Sequence, residues 1–283
     1  MKKILAITAL MIVGGSLCRG ALMLGDPGTT YTINFDTTVA DVNNGQFTGT
    51  GFQANPVSGQ LDSDSWASTG WSAGNLPFGG TQTTPNTDYT RGSSAGGVTT
   101  GGIYAMDVGG GNTALGILPG QIAGKDFAPG TLTLKVQNDT GADIHSLTIN
   151  YVIYVYNDTK RANSFNFSYS ADDATYTPVA GLDYTSAQVA AAAPTWEANN
   201  RSTTISGLTL ASGGVFYLRW SGADVAGNGT ARDEFALDNF SIIAAVPEPA
   251  EWGLICAVGL LGVCGLHTWR ERCRAQRQLE GTS

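Results

Sequence analysis

Leu147-Thr148-Ile149-Asn150-Tyr151-Val152-Ile153-Tyr154-Val155-Tyr156 is the stretch on which the fold turns. Leu147, Ile149, Tyr151, Ile153 and Val155 fall on one face at a strict period of two, with Tyr154 and Tyr156 on the other. Side chains alternate faces only in an extended backbone, so the stretch predicts a long, half-buried antiparallel strand. The same alternation recurs on both sides of it. Phe165, Phe167 and Tyr169 alternate with Ser164, Asn166 and Ser168, and Phe216, Leu218 and Trp220 with Val215, Tyr217 and Arg219. Tyr31, Ile33 and Phe35, then Leu132 and Leu134, repeat it more briefly, and Phe235 to Ile243 reads as a closing strand. Gly, Asn, Asp and Thr clusters separate these runs as turns. Only Ser186 to Ala193 has a helical look, just before Pro194.

Many short strands without a βαβ rhythm predict an all-β fold, an antiparallel β-sandwich of the jelly-roll kind. Its length suits one domain, residues 22–245. Residues 54–128 are rich in Gly, Ser and Thr and read as long loops folded over one end.

Both ends differ in kind from this middle. Lys2 and Lys3 precede an apolar run from Ile4 to Val13 and then small residues, which reads as a signal peptide over residues 1–21. Near the other end, the apolar stretch 253–269 has the length of a transmembrane helix, roughly 25 Å at ~1.5 Å per residue. Trp252 and Trp269 bracket it, and Arg270, Arg272 and Arg274 follow as a basic tail. The positive-inside rule places that tail in the cytoplasm and residues 22–245 outside. Pro247, Glu248 and Pro249 stand just before it, in a segment that two prolines keep extended.

Pro-Glu-Pro, a membrane-length apolar run and then arginines, in that order over residues 246–283, resembles the PEP-CTERM sorting signal of Gram-negative bacteria. The resemblance implies a membrane transpeptidase, exosortase, as processing partner. It also implies an inner-membrane anchor in transit, and delivery to the cell surface, outer membrane or extracellular matrix. The tail here runs on to Ser283 and carries Glu271 and Glu280, longer and less basic than is usual in that family. Within the domain, three stretches are together similar to jelly-roll modules of the galactose-binding and lectin-like kind. They are Gln137-Asn138-Asp139-Thr140-Gly141, Ser168 to Tyr176, and Phe216 to Trp220 with Ala236 to Phe240.

Charge narrows the choice of partner. Between the two ends stand eight basic residues and nineteen acidic ones, a net charge near −11. Such a surface repels polyanions and speaks against nucleic acid. The four cysteines, Cys18, Cys256, Cys264 and Cys273, all lie in the ends, so no disulfide framework is expected in the domain.

Catalytic constellations are thin. His145 is the only histidine before the apolar C-terminal stretch, beside Asp143. Ser72 and Ser94 sit in Gly-x-Ser-x-Gly stretches, but neither leads into a helix as a nucleophile elbow must. Glu197 and Glu234 are the only glutamates of the domain, and a glycoside hydrolase would need a carboxylate pair at set separation. The expected role is therefore structural or adhesive, with carbohydrate as the ligand, and a secreted polysaccharide-acting hydrolase is the alternative.

Two candidate sites follow. Trp66, Trp71 and Tyr89, with Phe78, lie among Ser, Asn and Gly, where exposed rings stack on sugars and buried ones pin loops to the core. The acidic segment 224–238 offers Asp224, Asn228, Asp233 and Asp238 as oxygen ligands for a structural Ca²⁺. Its alternative reading is a turn capped by its own Asp and Asn side chains, with Arg232 paired to a neighbour and Asp238 open to Arg219. No other cofactor is expected.

Overall fold

A computed structural model describes residues 20–37, 42–120, 126–227 and 232–246. Most of the signal peptide, the motif Pro247, Glu248 and Pro249, the apolar stretch 253–269 and Arg270, Arg272 and Arg274 lie outside the described residues. So does Asn228. No helix among the described residues is long and apolar enough to cross a membrane. The fold below is that of the unit ending at Ala245.

Seventeen strands lie among the described residues. The first nine are β1 (Leu22–Leu24), β2 (Thr30–Ile33), β3 (Asn43–Asn44), β4 (Phe52–Gln53), β5 (Gln60–Asp62), β6 (Trp66–Thr69), β7 (Ser93–Ser94), β8 (Gly102–Asp107) and β9 (Thr113–Leu118). Then come β10 (Gly130–Asn138), β11 (Ile144–Tyr156), β12 (Arg161–Ser170), β13 (Thr177–Pro178), β14 (Tyr184–Thr185), β15 (Trp196–Leu210), β16 (Val215–Gly227) and β17 (Glu234–Ala245).

They form two main sheets. One runs β1-β10-β16-β12-β13, with β6 also on β10 and β14 on β12; the other runs β15-β11-β17-β9-β8-β7, with β2 also on β17. A small third sheet is β3-β5-β4. The six long strands β10, β11, β12, β15, β16 and β17 alternate between the two main sheets along the chain. That is the winding of a jelly roll, and the expected all-β sandwich is what the chain builds.

Alternation puts the apolar set of each strand inside. Leu147, Ile149, Tyr151, Ile153 and Val155 of β11 are all buried, as their period of two requires. Rings then meet across the interior. Tyr151 lies 5.7 Å from Trp220 and 6.0 Å from Phe167, Phe240 lies 5.7 Å from Trp220, and Phe235 stacks on Phe165 at 5.7 Å. Burying a side chain of this size contributes about 1.5–3 kcal/mol, so these rings anchor the sandwich.

The structure corrects two expectations. Residues 54–128 are not all loop, because β8 and β9 pair with each other and β9 joins β17 inside the second sheet. Gly109, Gly110 and Gly111 make the turn between them, all with positive φ. Ser186 to Ala193 forms no helix; the one helical segment among the described residues is a 3₁₀ turn at Ala180–Leu182.

Candidate functional site

The outward set of the first sheet makes a polar face. Register places Thr69, Thr131, Ser221 and Asn166 in one row across β6, β10, β16 and β12. The next row holds Ala67, Thr133, Arg219 and Ser168, and the one after it Lys135, Tyr217 and Ser170. These are the positions that alternate with the buried Leu132, Leu134, Leu218 and Trp220. Thr69, Thr131, Ser168 and Ser221 put half-buried hydroxyl residues on this face, whereas Thr133 and Ser170 are buried; Thr69 and Thr131 join Oγ1 to Oγ1 at 2.7 Å.

Two loops add rings to it. After β6 the chain folds back, with Ser68 and Leu76 exchanging backbone hydrogen bonds of 2.9 and 2.8 Å. This carries Phe78 over the sheet, 5.7 Å from Tyr217, with the Lys135 Nζ 4.9 Å above its ring. Burial against that ring lowers the Lys135 pKa, opposed by nearby Asp64 and Asp62. After β12, Asp172 accepts from the N–H groups of Ala174 and Thr175, both at 2.9 Å, which holds its carboxyl down at about 2. The tight turn puts Asp173 at φ 56°, a left-handed conformation that Asp tolerates better than most residues. Tyr176 donates its hydroxyl to Asp173.

Arg219 ties the parts together. Its Nε donates to Thr133 Oγ1 at 3.0 Å and its Nη2 to Asp173 Oδ1 at 2.9 Å, while Cζ lies 3.6 Å over the Tyr176 ring. Between these groups opens a recess of about 250 Å³, lined by Thr69, Phe78, Thr131, Thr133, Asp173 and Arg219 among others. The rings Phe78, Tyr176 and Tyr217 are each half-exposed. Half-exposed rings beside hydroxyls, a carboxylate and a guanidinium can stack on apolar C–H faces while bonding the hydroxyls around them.

The residues singled out from sequence lie elsewhere. Trp66, Trp71 and Tyr89 are buried, which overturns their reading as a sugar platform. Trp66 packs 6.3 Å from Trp220 and 6.4 Å from Phe35 in the core. Trp71 donates its indole N–H to Ser68 Oγ at 2.7 Å, and Tyr89 its hydroxyl to Gly74 O at 2.8 Å. Their apolar bodies are worth more inside; the polar tips of Trp71 and Tyr89 find partners there, while the Trp66 indole N–H is buried without one. Of the four aromatics in that region, Phe78 alone reaches the polar face.

Of the proposed Ca²⁺ ligands, the described Asp224, Asp233 and Asp238 form no common site, and no metal-holding group of three occurs among the described residues. Asp224 is clasped by Arg161, Oδ1 to Nε at 3.0 Å and Oδ2 to Nη2 at 2.5 Å, which lowers its pKa. Arg232 approaches the same carboxylate at 3.9 Å, as the turn reading expected. Asp233 accepts from Thr159 N and Oγ1 at 3.2 and 2.9 Å. Asp238 accepts from Asn112 Nδ2 at 3.0 Å and Asn239 Nδ2 at 2.9 Å, so it does not receive Arg219. Burial raises the pKa of both. Asp238 is fully buried where the β11–β17 register shifts between Asn150 and Val152, an extra residue on β17 beside Asn239 at φ 48°.

Neither serine makes a triad. Ser72 donates to Asp126, Ser94 belongs to β7, and Asp143 accepts from Ser212 N at 3.0 Å beside the exposed His145. Glu234 is fully buried, with Oε1 accepting from Val98 N at 2.7 Å, and burial pushes its carboxyl up to about 8. Glu234 pairs with Tyr156 and Glu197 with Val155, so the two glutamates stand on opposite faces of the second sheet.

No family model and no curated protein matches the chain. Among solved structures it is similar to a CBM4 structure at 13% identity and a TM-score of 0.32, over 65% of this chain and 96% of that one. A xylan-binding module, CBM15, gives 11% identity and a TM-score of 0.32 over 65% of this chain and 93% of that one. A carbohydrate-binding module specific for non-crystalline cellulose, CBM28, gives 15% identity and a TM-score of 0.31 over 53% and 84%.

Proposed function

We propose that the chain is an exported protein of the cell surface or extracellular matrix. Its β-sandwich holds uncharged polysaccharide on the outer face of the first sheet without cleaving it. The observation that carries this reading is the recess where Phe78 and Arg219 meet the side chains of Thr69, Thr131 and Thr133, with Tyr217 packed against Phe78 and Tyr176 against Arg219 beside it. Pyranose rings offer both C–H faces and hydroxyls, and this surface offers a counterpart to each.

Charge favours a neutral strand. Two of the Arg219 nitrogens are engaged by Thr133 and Asp173, and Lys135 stands near Asp62 and Asp64. A carboxylated sugar would therefore meet a compensated site on a domain near −11. Cleavage would need two carboxylates flanking the bond, about 5–10 Å apart. Glu234 is sealed beneath Val98, and Asp173 is held by Arg219 and Tyr176.

Delivery rests on the order of signals in the sequence: a leader, then Pro247-Glu248-Pro249, an apolar stretch and arginines. An exosortase-type transpeptidase is the processing partner, and the inner membrane anchors the chain in transit. The role at the surface is adhesive or structural.

Affinity electrophoresis and calorimetry with soluble glucan, xylan, galactan and a polyuronate test the binding. Retention by a neutral polymer, weakened about tenfold by Tyr217→Ala or Phe78→Ala, is expected. Retention by none, or preference for the polyuronate, overturns the reading; release of soluble reducing ends moves it to the hydrolase class. Mass spectrometry of the C-terminal peptide tests sorting. A mature surface form that keeps its arginine tail, or unchanged anchoring in Glu248→Ala, removes exosortase from the account.

A further inference from the structure

Two more half-exposed rings stand on the opposite side of the sandwich. Tyr156 of β11 and Trp196 of β15 are register partners with centroids 5.4 Å apart. Val155 is buried in the core, so Tyr156 faces outward from the second sheet. Both rings are held. Trp196 donates its indole N–H to Ala95 O at 2.9 Å, and Gly96 packs so closely on Tyr156 that a Cβ there would come within 2.9 Å of the ring. They border a recess of about 410 Å³ whose rim adds Asp107, Gly109 and Thr195.

Beyond Tyr154 and Val152 of β11, the outer face turns to hydroxyls and amides. Thr148 and Thr204 join at 2.9 Å, Ser202 donates to Asn150 Oδ1 at 2.6 Å, and Asn150 Nδ2 donates to Ser241 Oγ at 3.2 Å. The composition repeats that of the first face: fixed rings, a carboxylate, and a strip of small polar side chains. Ala95, Val108 and Pro194 also line the recess, but the strip of Thr148, Asn150, Ser202, Thr204 and Ser241 beyond it is polar, unlike the broad apolar patch that a protein partner would look for.

We propose that this recess is a second glycan-binding site, taking an uncharged polysaccharide strand across Tyr156 and Trp196. Having one site on each outer face, a single domain bridges two strands. The inference rests on the reading of the first face as a glycan site.

The full-length protein is mixed with whichever of soluble glucan, xylan or galactan retains it, and cross-linking is followed by light scattering. Wild type raises the scattering as a network forms. Trp196→Ala and Asp107→Ala, each checked for an unchanged melting temperature, still bind through the first face but lose the rise. Tyr217→Ala keeps residual binding through the second face and also loses the rise. The variant with Trp196→Ala and Tyr217→Ala together is not retained. Cross-linking by Trp196→Ala equal to wild type overturns the second site, as does complete loss of retention in Tyr217→Ala alone. A wild type that no polymer retains overturns both readings, whereas a wild type retained without any rise in scattering overturns this one only.

Discussion

The guanidinium of Arg219 lies 3.6 Å over the ring of Tyr176. The two residues belong to different elements, β16 and the turn after β12, and Asp173 accepts from both. A planar, always-charged fork is what lets one side chain stack on a ring while donating to Thr133 and Asp173.

Arg219→Lys is therefore not conservative here. A lysine keeps the charge but loses the flat stack and the two-sided donation. Glycan affinity is expected to fall about tenfold, with stability changed by about 1 kcal/mol or less, since the pair is partly exposed. Calorimetry beside thermal melts checks this; equal affinity in the lysine variant contradicts it.

Glu234 gives the domain an unusual pH dependence. Its carboxyl shifts from an ordinary 4.5 to about 8 on folding, chiefly through burial and then through Asp158. Between those values the folded state binds more protons than the unfolded one, so stability falls as pH rises. The contribution is intact below 4.5 and is lost as pH climbs through about 8, a swing of roughly 3–5 kcal/mol. Asp158, Asp233 and Asp238, also raised by burial, act with the same sign. Melting temperature is expected to drop between pH 5 and pH 9, and Glu234→Gln to flatten much of the drop. Parallel losses in wild type and variant would count against the assignment.

Trp66 belongs to stability rather than to recognition. It is fully buried between Phe35 and Trp220, so Trp66→Ala is expected to cost about 3–5 kcal/mol. Whatever folded fraction remains should bind glycan as wild type does. Urea unfolding and affinity electrophoresis on the same sample separate the two effects; weakened binding at full stability would return Trp66 to the site.

Calcium is expected to leave the domain unmoved. Asp224 is neutralised by Arg161, and Asp233 and Asp238 are occupied separately. Chelator should shift the melting temperature by less than about 1 °C, against several degrees for a structural ion worth a few kcal/mol. A large shift would show that oxygen ligands gather around an ion after all.

Much of the sandwich was legible in the sequence. Local alternation alone assigned the strands carrying Leu147 to Val155, Phe165 to Tyr169 and Val215 to Trp220, and divided each into two faces. Two things escaped it. β15 is an edge strand rich in Asn, Ser and Thr, held by its pairing with β11 rather than by an apolar face of its own. β8 and β9 are buried on nearly every residue, so they show no alternation to read.

The sequence by itself determined that the chain is extended, two-layered and acidic, because side-chain direction in a strand is a local property. Only the tertiary structure decided which rings meet the outside. Trp66, Trp71 and Tyr89 share a loop-rich stretch with Phe78, yet three go into the core and one onto the face. Phe78, Tyr176 and Arg219 are far apart along the chain and become neighbours through strand register and two folded-back loops. A ring's burial depends on what packs against it from elsewhere in the chain, and no local pattern carries that information.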